Sequence, residues 1–321
     1  MLKLNSVKCI SPRVVQVEIT TRCNLNCLNC VNMHIDKKVD MSYVTFYIIL
    51  ENINKSNLRK LILNGVGEPF INPDLAKILG YCKTLKIPEI ELYTNATLIN
   101  NEWIRLLEQG ALSTIIFSLD GATKESFEKI RKGASFESVL FNISSLSYLK
   151  NINRKIHFVL SEENVDSLAF LPKLCLKLNI QSLEVVELIP FLMNATKISP
   201  NNFISRMPSH SKNLNKELDK LKQDCDKNRI TLKLRIGWWK QQCSLPFSHL
   251  YINVEGDALP CCRIQEKKYM GNFLKNQFEF VWNSRSFLNW RLSMLDGPTP
   301  PECTHICNFK KVRDSFRTYL K

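Results

Sequence analysis

The chain has 321 residues, 45% apolar and 23% charged, with 44 Lys and Arg against 30 Asp and Glu for a formal net charge of +14. That length suggests about two domains, and the apolar content excludes a disordered chain. Every apolar run is interrupted well short of about 18 residues, so no segment reads as a membrane-spanning helix.

The first eight residues hold neither an apolar h-region nor a small-residue cleavage site. The N-terminus therefore does not read as a secretory signal, and a cytoplasmic location is expected. Twelve cysteines in such a chain point to metal or redox chemistry rather than a disulfide scaffold.

In chain order, residues 14–19 predict a strand running into a loop with Cys23, Cys27 and Cys30 spaced C-x3-C-x2-C. A helix is expected over 43–53 and a short strand over 61–63, followed by the turn Gly65-Val66-Gly67-Glu68-Pro69. A helix from Asn72 to Leu85 leads to a strand at 90–93 that ends before Asn95. A helix over 101–109, closed by Gly110, precedes a strand at 114–117 ending in Ser118-Leu119-Asp120-Gly121. Helical patterns fill 123–131 and 136–150, and strands recur at 156–160 and 183–188.

This alternation predicts an α/β fold with a parallel sheet covered by helices. Six such steps fall short of a closed eight-unit barrel, so an open or partial barrel is expected, with ligands at the carboxyl ends of its strands. Each unusual motif follows a strand, so all converge on one mouth.

The last third changes character. A loop is expected around residues 199–202, and Leu214, Leu218 and Leu221 recur at helical spacing, as in a connecting amphipathic helix. A β-hairpin is then expected, with strands over 250–254 and 258–262, Cys243 upstream of it and Cys261 and Cys262 at its far end. A helical stretch ends near Arg291, before Cys303 and Cys307. Trp238, Trp239 and His249 are expected to pack around this module. The resulting division is 1–195 for the barrel, 196–236 for a linker and 237–321 for a small α+β module. Cys9, Cys82, Cys175 and Cys225 stand alone and read as buried apolar residues.

Three thiolates on one tight loop leave two metal readings open. Structural zinc takes four protein ligands, which His34 would complete. A four-iron cluster on three cysteines leaves one iron free to bind a substrate or cofactor.

The cysteine loop after the first strand, the Gly65–Pro69 turn after the second and Ser118-Leu119-Asp120-Gly121 after the fourth together resemble the radical S-adenosylmethionine (SAM) superfamily over residues 10–190. The family often has an aromatic residue before the third cysteine, where this chain has Asn29. The resemblance implies a partial (β/α)6 barrel with a [4Fe–4S] cluster on Cys23, Cys27 and Cys30, at which SAM is split to a 5′-deoxyadenosyl radical that takes hydrogen from substrate. It further implies SAM contacts from Gly65, Gly67 and Glu68, with Asn95, Ser118 and Asp120 near the ribose and Arg131 near the methionine carboxylate. Turn-forming, helix-capping or surface roles are the alternatives for Asn95, Ser118, Asp120 and Arg131.

The spacing from Cys243 through Gly256 to Cys261 resembles the SPASM/twitch extension of such enzymes. This implies one auxiliary [4Fe–4S] cluster on Cys243, Cys261, Cys303 and Cys307, with structural zinc as the alternative. Cys262 is a candidate hydrogen-atom donor, or else a neighbour or alternative ligand of that cluster. The implied partners are a low-potential flavodoxin- or ferredoxin-type electron donor and a small-molecule, sugar or peptide substrate. With the first strand expected near residue 14, a leader-peptide-binding domain is not expected before it, which shifts the expectation slightly towards a small or carbohydrate-like substrate. Dehydrogenation and epimerisation are the expected outcomes, with peptide or protein maturation as an alternative. The basic segment 308–321 carries no nucleic-acid motif. A non-catalytic iron–sulfur or zinc protein that binds nucleic acid is the rival outside the family.

Overall fold

The computed structural model describes residues 7–188, 214–237, 243–263, 270–295, 298, 300 and 303. All six expected strands form: β1 (Val14–Val17), β2 (Lys60–Leu63), β3 (Glu89–Thr94), β4 (Thr114–Ser118), β5 (Asn153–Leu160) and β6 (Ser182–Glu187). They pair in parallel with each sequence neighbour, Val15 opposite Leu61 and Ile116 opposite Lys155. The expected partial-barrel α/β architecture is present.

Local chemistry sets the helix ends. Ser42 caps Tyr43–Asn52 by accepting from the Thr45 amide at 3.1 Å. Asn100 does the same for Asn101–Gln109, through the Trp103 amide at 3.0 Å. A reciprocal Thr123–Ser126 box starts Lys124–Ile130. Such caps satisfy amides that otherwise lack a partner.

Two sheet faces follow from the two-residue strand period. Val15, Val17, Leu61, Leu63, Ile90, Leu92, Ile115, Phe117, Ile156 and Phe158 face the helices and are almost fully buried with Phe46, Ile49, Ile78 and Val139. Each such side chain stabilises the fold by about 1.5–3 kcal/mol relative to exposure. The alternate residues turn inward, where several are polar or charged.

Among the described residues the sheet extends past these six strands on both sides, with one further strand beyond β6 and three beyond β1. The expected amphipathic helix is Leu214–Lys227, with Leu214, Leu218, Leu221 and Cys225 buried. The strand after it, β7 (Thr231–Arg235), pairs in parallel with β6. This half of the stretch expected as a linker is thus built into the barrel edge.

The C-terminal hairpin forms from β8 (His249–Ile252) and β9 (Asp257–Leu259), turning at Gly256 with φ +83°. That left-handed backbone favours glycine. β8 also pairs in parallel with β1, Gln16 opposite Tyr251, so the module continues the barrel's own sheet. β10 (Gly271–Asn272) and helices Phe278–Trp282 and Arg285–Leu295 complete the described part. No helix among the described residues is long and apolar enough to cross a membrane.

Candidate active site

β1 delivers the chain into the cysteine loop at the carboxyl end of the sheet. The Asn32 side-chain amide closes this loop, donating to the Thr21 carbonyl at 2.7 Å and the Val66 carbonyl at 2.8 Å. Cys23, Cys27 and Cys30 are all half-buried. The Cys23 sulfur accepts from the Leu25 amide at 3.5 Å, and the Cys30 sulfur from the Asn32 amide at 3.4 Å. Such hydrogen bonds tune iron–sulfur potentials. Burial raises all three thiols, Cys27 to about 12, while Arg131 opposes the shift at Cys27. Among the described residues, no three His, Cys, Asp or Glu side chains are already gathered at a metal-holding geometry. The donor set is nevertheless that of a four-iron cluster, with soft thiols sharing one loop and amides aimed at two sulfurs.

The two glycines of the turn pack against the stem of the cysteine loop. A Cβ on Gly67 would fall on the carbonyl oxygens of Thr20 and Arg22, and one on Gly65 on the Glu18 side chain. The close approach these glycines permit is to the stem of the cysteine loop. Glu68 is buried, and its oxygens accept from the Thr94 hydroxyl at 2.7 Å, the Asn95 amide at 2.7 Å and the Phe70 amide at 3.3 Å. Burial still lifts its carboxyl to about 7, the hydrogen bonds opposing. Glu68 thereby fixes Asn95, whose side-chain nitrogen donates to the Asn24 side chain at 3.0 Å and lies 3.9 Å from the Cys23 sulfur.

Asp120 and Arg131 pair with each other, at 2.7 and 2.8 Å, while the second Asp120 oxygen accepts from the Val159 amide at 2.9 Å. Both line the barrel cavity, as does Ser118. Arg131 is therefore a held cation facing the cysteines rather than a solvated surface charge.

The cavity, about 610 Å³, runs from Cys27, Asn29 and Cys30 down the inner face of the barrel. Its wall holds His249 and residues outside every motif: Lys60, Glu91, Tyr93, Lys155, His157, Glu184, Lys233 and Arg235. The signal was available as polar residues at alternate positions of otherwise apolar strands. The ring of His157 meets Tyr93 edge-on at 5.6 Å, and burial lowers its pKa. His249, at the start of β8 in the C-terminal module, faces Gln16 at 3.1 Å across the β1–β8 seam. Burial pushes it down to about 4.

Glu18, also missed, ties the regions together. It is fully buried and accepts from the Val66 amide at 2.9 Å, the Tyr251 hydroxyl at 3.0 Å and the Val254 amide at 3.4 Å.

Of the C-terminal cysteines, Cys243, Cys261, Cys262 and Cys303 are half-buried. The neighbouring Cys262 and burial, with a smaller contribution from Cys243, raise the Cys261 thiol. Cys262 shares the cavity with Cys27 and Cys30. Cys303 packs on the core, its amide donating to the Pro300 carbonyl at 2.9 Å. Cys307, Trp238, Trp239, the 199–202 loop and the basic 308–321 segment lie outside the described residues. Cys9, Cys82, Cys175 and Cys225 are buried, as expected.

Residues 17–169 match the model of the radical SAM superfamily, and residues 243–308 match that of an iron–sulfur cluster-binding domain, SPASM. A probable GTP 3′,8-cyclase of Methanocaldococcus jannaschii is 28% identical over 180 residues, 56% of this chain and 59% of that protein. The chain thus spans less than two thirds of that relative. A tungsten-containing aldehyde ferredoxin oxidoreductase cofactor-modifying protein of Pyrococcus furiosus is 24% identical over 94% of this chain and 90% of its own length. Streptococcus suis SuiB, solved bound to precursor peptide SuiA, superposes with a TM-score of 0.72 at 15% identity, covering 95% of this chain and 71% of SuiB. SuiB has also been solved with S-adenosylmethionine.

Proposed function

The chain belongs to the radical SAM superfamily and carries a C-terminal iron–sulfur cluster-binding SPASM domain, and from this premise we propose that it splits SAM reductively and removes hydrogen from a small polar substrate in the barrel cavity. Its cofactors are SAM, the [4Fe–4S] cluster that binds it, and auxiliary iron–sulfur. In this reading Cys23, Cys27 and Cys30 hold the first cluster, and Cys243, Cys261, Cys303 and Cys307 an auxiliary [4Fe–4S] cluster. When bound, the first cluster supplies the electron that divides SAM into methionine and a 5′-deoxyadenosyl radical.

Binding, orientation and shielding fall to this chain's own residues. Asp120 fixes Arg131 as a cation at the rim, suited to the SAM carboxylate. Glu68 holds Asn95 against the cysteine loop, and Ser118 borders the ribose end. The walls shield a reactive intermediate from water. Cys262 faces the same cavity and is placed to return a hydrogen atom in an epimerisation, with dehydrogenation the other outcome. The electron comes from a flavodoxin- or ferredoxin-type donor.

The observation that carries the reading is one cavity containing two loop cysteines, the Arg131–Asp120 pair and Cys262. Peptide maturation is the second reading, favoured by the likeness to SuiB with its bound peptide. Oxygen-free, iron-loaded protein given dithionite and SAM should form 5′-deoxyadenosine; no product above the protein-free control contradicts the proposal. Cys262→Ala should keep that cleavage while stopping any epimerisation.

A further inference from the structure

The cavity floor carries a charge pattern that the radical chemistry leaves unused. Glu91 on β3 lies 2.7 Å from Lys60 on β2 and 4.0 Å from Lys155 on β5. Glu184 on β6 lies 3.1 Å from Lys233 and 2.7 Å from Arg235, both on β7. The two carboxylate side chains are only 6% exposed, whereas Lys233 is 57% and Arg235 42% exposed. Glu184 therefore lies beneath Lys233 and Arg235, and Glu91 beside Lys60 and Lys155, with Lys60 also 2.7 Å from Glu89. An ammonium carries three N–H donors, so one carboxylate contact does not exhaust it.

We propose that this floor is a subsite for the phosphate group of a small substrate, recognised chiefly by Lys155, Lys233 and Arg235. The inference rests on the enzymatic reading of the same cavity. Cations arriving from separate strands suit a tetrahedral dianion, which accepts from several directions; a planar carboxylate is matched by a single guanidinium fork. Seating phosphate on the floor turns the rest of the substrate towards Cys27 and Cys30 at the mouth. It thereby selects which carbons face the site of hydrogen abstraction.

The test is calorimetric titration of the full-length protein with inorganic pyrophosphate, a readout that needs no radical chemistry. Lys233→Met and Lys155→Met should each weaken binding about tenfold, the effect of losing one charge-assisted contact. Lys233→Arg should retain binding, as should Lys77→Ala on a distant surface. Glu184→Gln should bind at least as tightly as the wild type. Absence of pyrophosphate binding by the wild type, or unchanged binding by both Met variants, overturns the subsite. Citrate binding as tightly as pyrophosphate overturns its assignment to phosphate. 5′-Deoxyadenosine formation in the same preparation separates the two claims: present without pyrophosphate binding, it leaves the enzyme reading standing and removes only the subsite.

Discussion

The amino-terminal barrel and the C-terminal module both present cysteines to one cavity, yet they are built in opposite ways. In the barrel, each functional loop follows its own strand and each strand pairs with its sequence neighbour. The module instead borrows a partner: β8 pairs with β1, more than 200 residues earlier, and Tyr251 and Val254 donate to Glu18 just before the cysteine loop. The barrel's cysteine loop is therefore placed by local structure, whereas the module's place beside the cavity depends on a long-range seam. The two regions should fail differently.

The largest contrast is expected between their cysteines. Cys27→Ala should lower 5′-deoxyadenosine formation by more than the roughly 10–100-fold typical of losing a supporting residue around a metal. Cys261→Ala should leave that cleavage largely intact while halting substrate conversion. Equal loss of cleavage in both would merge the two roles, as read by chromatography of nucleoside products.

The module's packing comes next. The Arg291 guanidinium lies 4.3 Å from the Trp282 ring centre and donates to the Pro246 carbonyl at 2.8 Å and the Asn283 side chain at 2.9 Å. Burial lowers its pKa to about 10. Arg291→Ala removes donors from buried acceptors together with ring packing, and should cost roughly 2–4 kcal/mol. Thermal unfolding should show the loss without changing SAM cleavage per folded chain.

In the barrel, Gly67→Ala forces a methyl group onto the Thr20 and Arg22 carbonyls. Overpacking of this kind costs about 1–3 kcal/mol. Here it displaces the cysteine stem, so iron content should fall together with stability.

The smallest effect is one of pH. Burial holds Glu68 at about 7 against an ordinary 4.5, so the folded chain keeps a proton that the unfolded chain releases. The resulting stabilisation is fully present below about pH 4.5 and is lost as pH rises through about 7. Urea midpoints should accordingly fall between about pH 5 and pH 8, and Glu68→Gln should flatten that slope even while lowering stability overall. An unchanged slope would show that other groups set it.

These contrasts also explain what the sequence disclosed. β1–β6 were legible because apolar periodicity, capping residues and turn glycines agree locally. The cysteine spacing was legible because its chemistry needs little else. The β1–β8 seam was hidden because nothing near residue 250 encodes its distant partner. Lys155, His157 and Glu184 went unremarked because strand alternation alone does not distinguish solvent from a lined cavity. The glycine turn was legible as a motif, whereas its packing on Glu18, Thr20 and Arg22 needed the fold.

The central claim is that SAM engages a cluster at the cysteine loop. Electron-paramagnetic resonance of dithionite-reduced, oxygen-free protein measures this directly. Addition of SAM should shift the reduced-cluster signal in the wild type and in Cys261→Ala, and leave Cys27→Ala without a responsive signal. A wild-type spectrum unaltered by SAM would contradict the account.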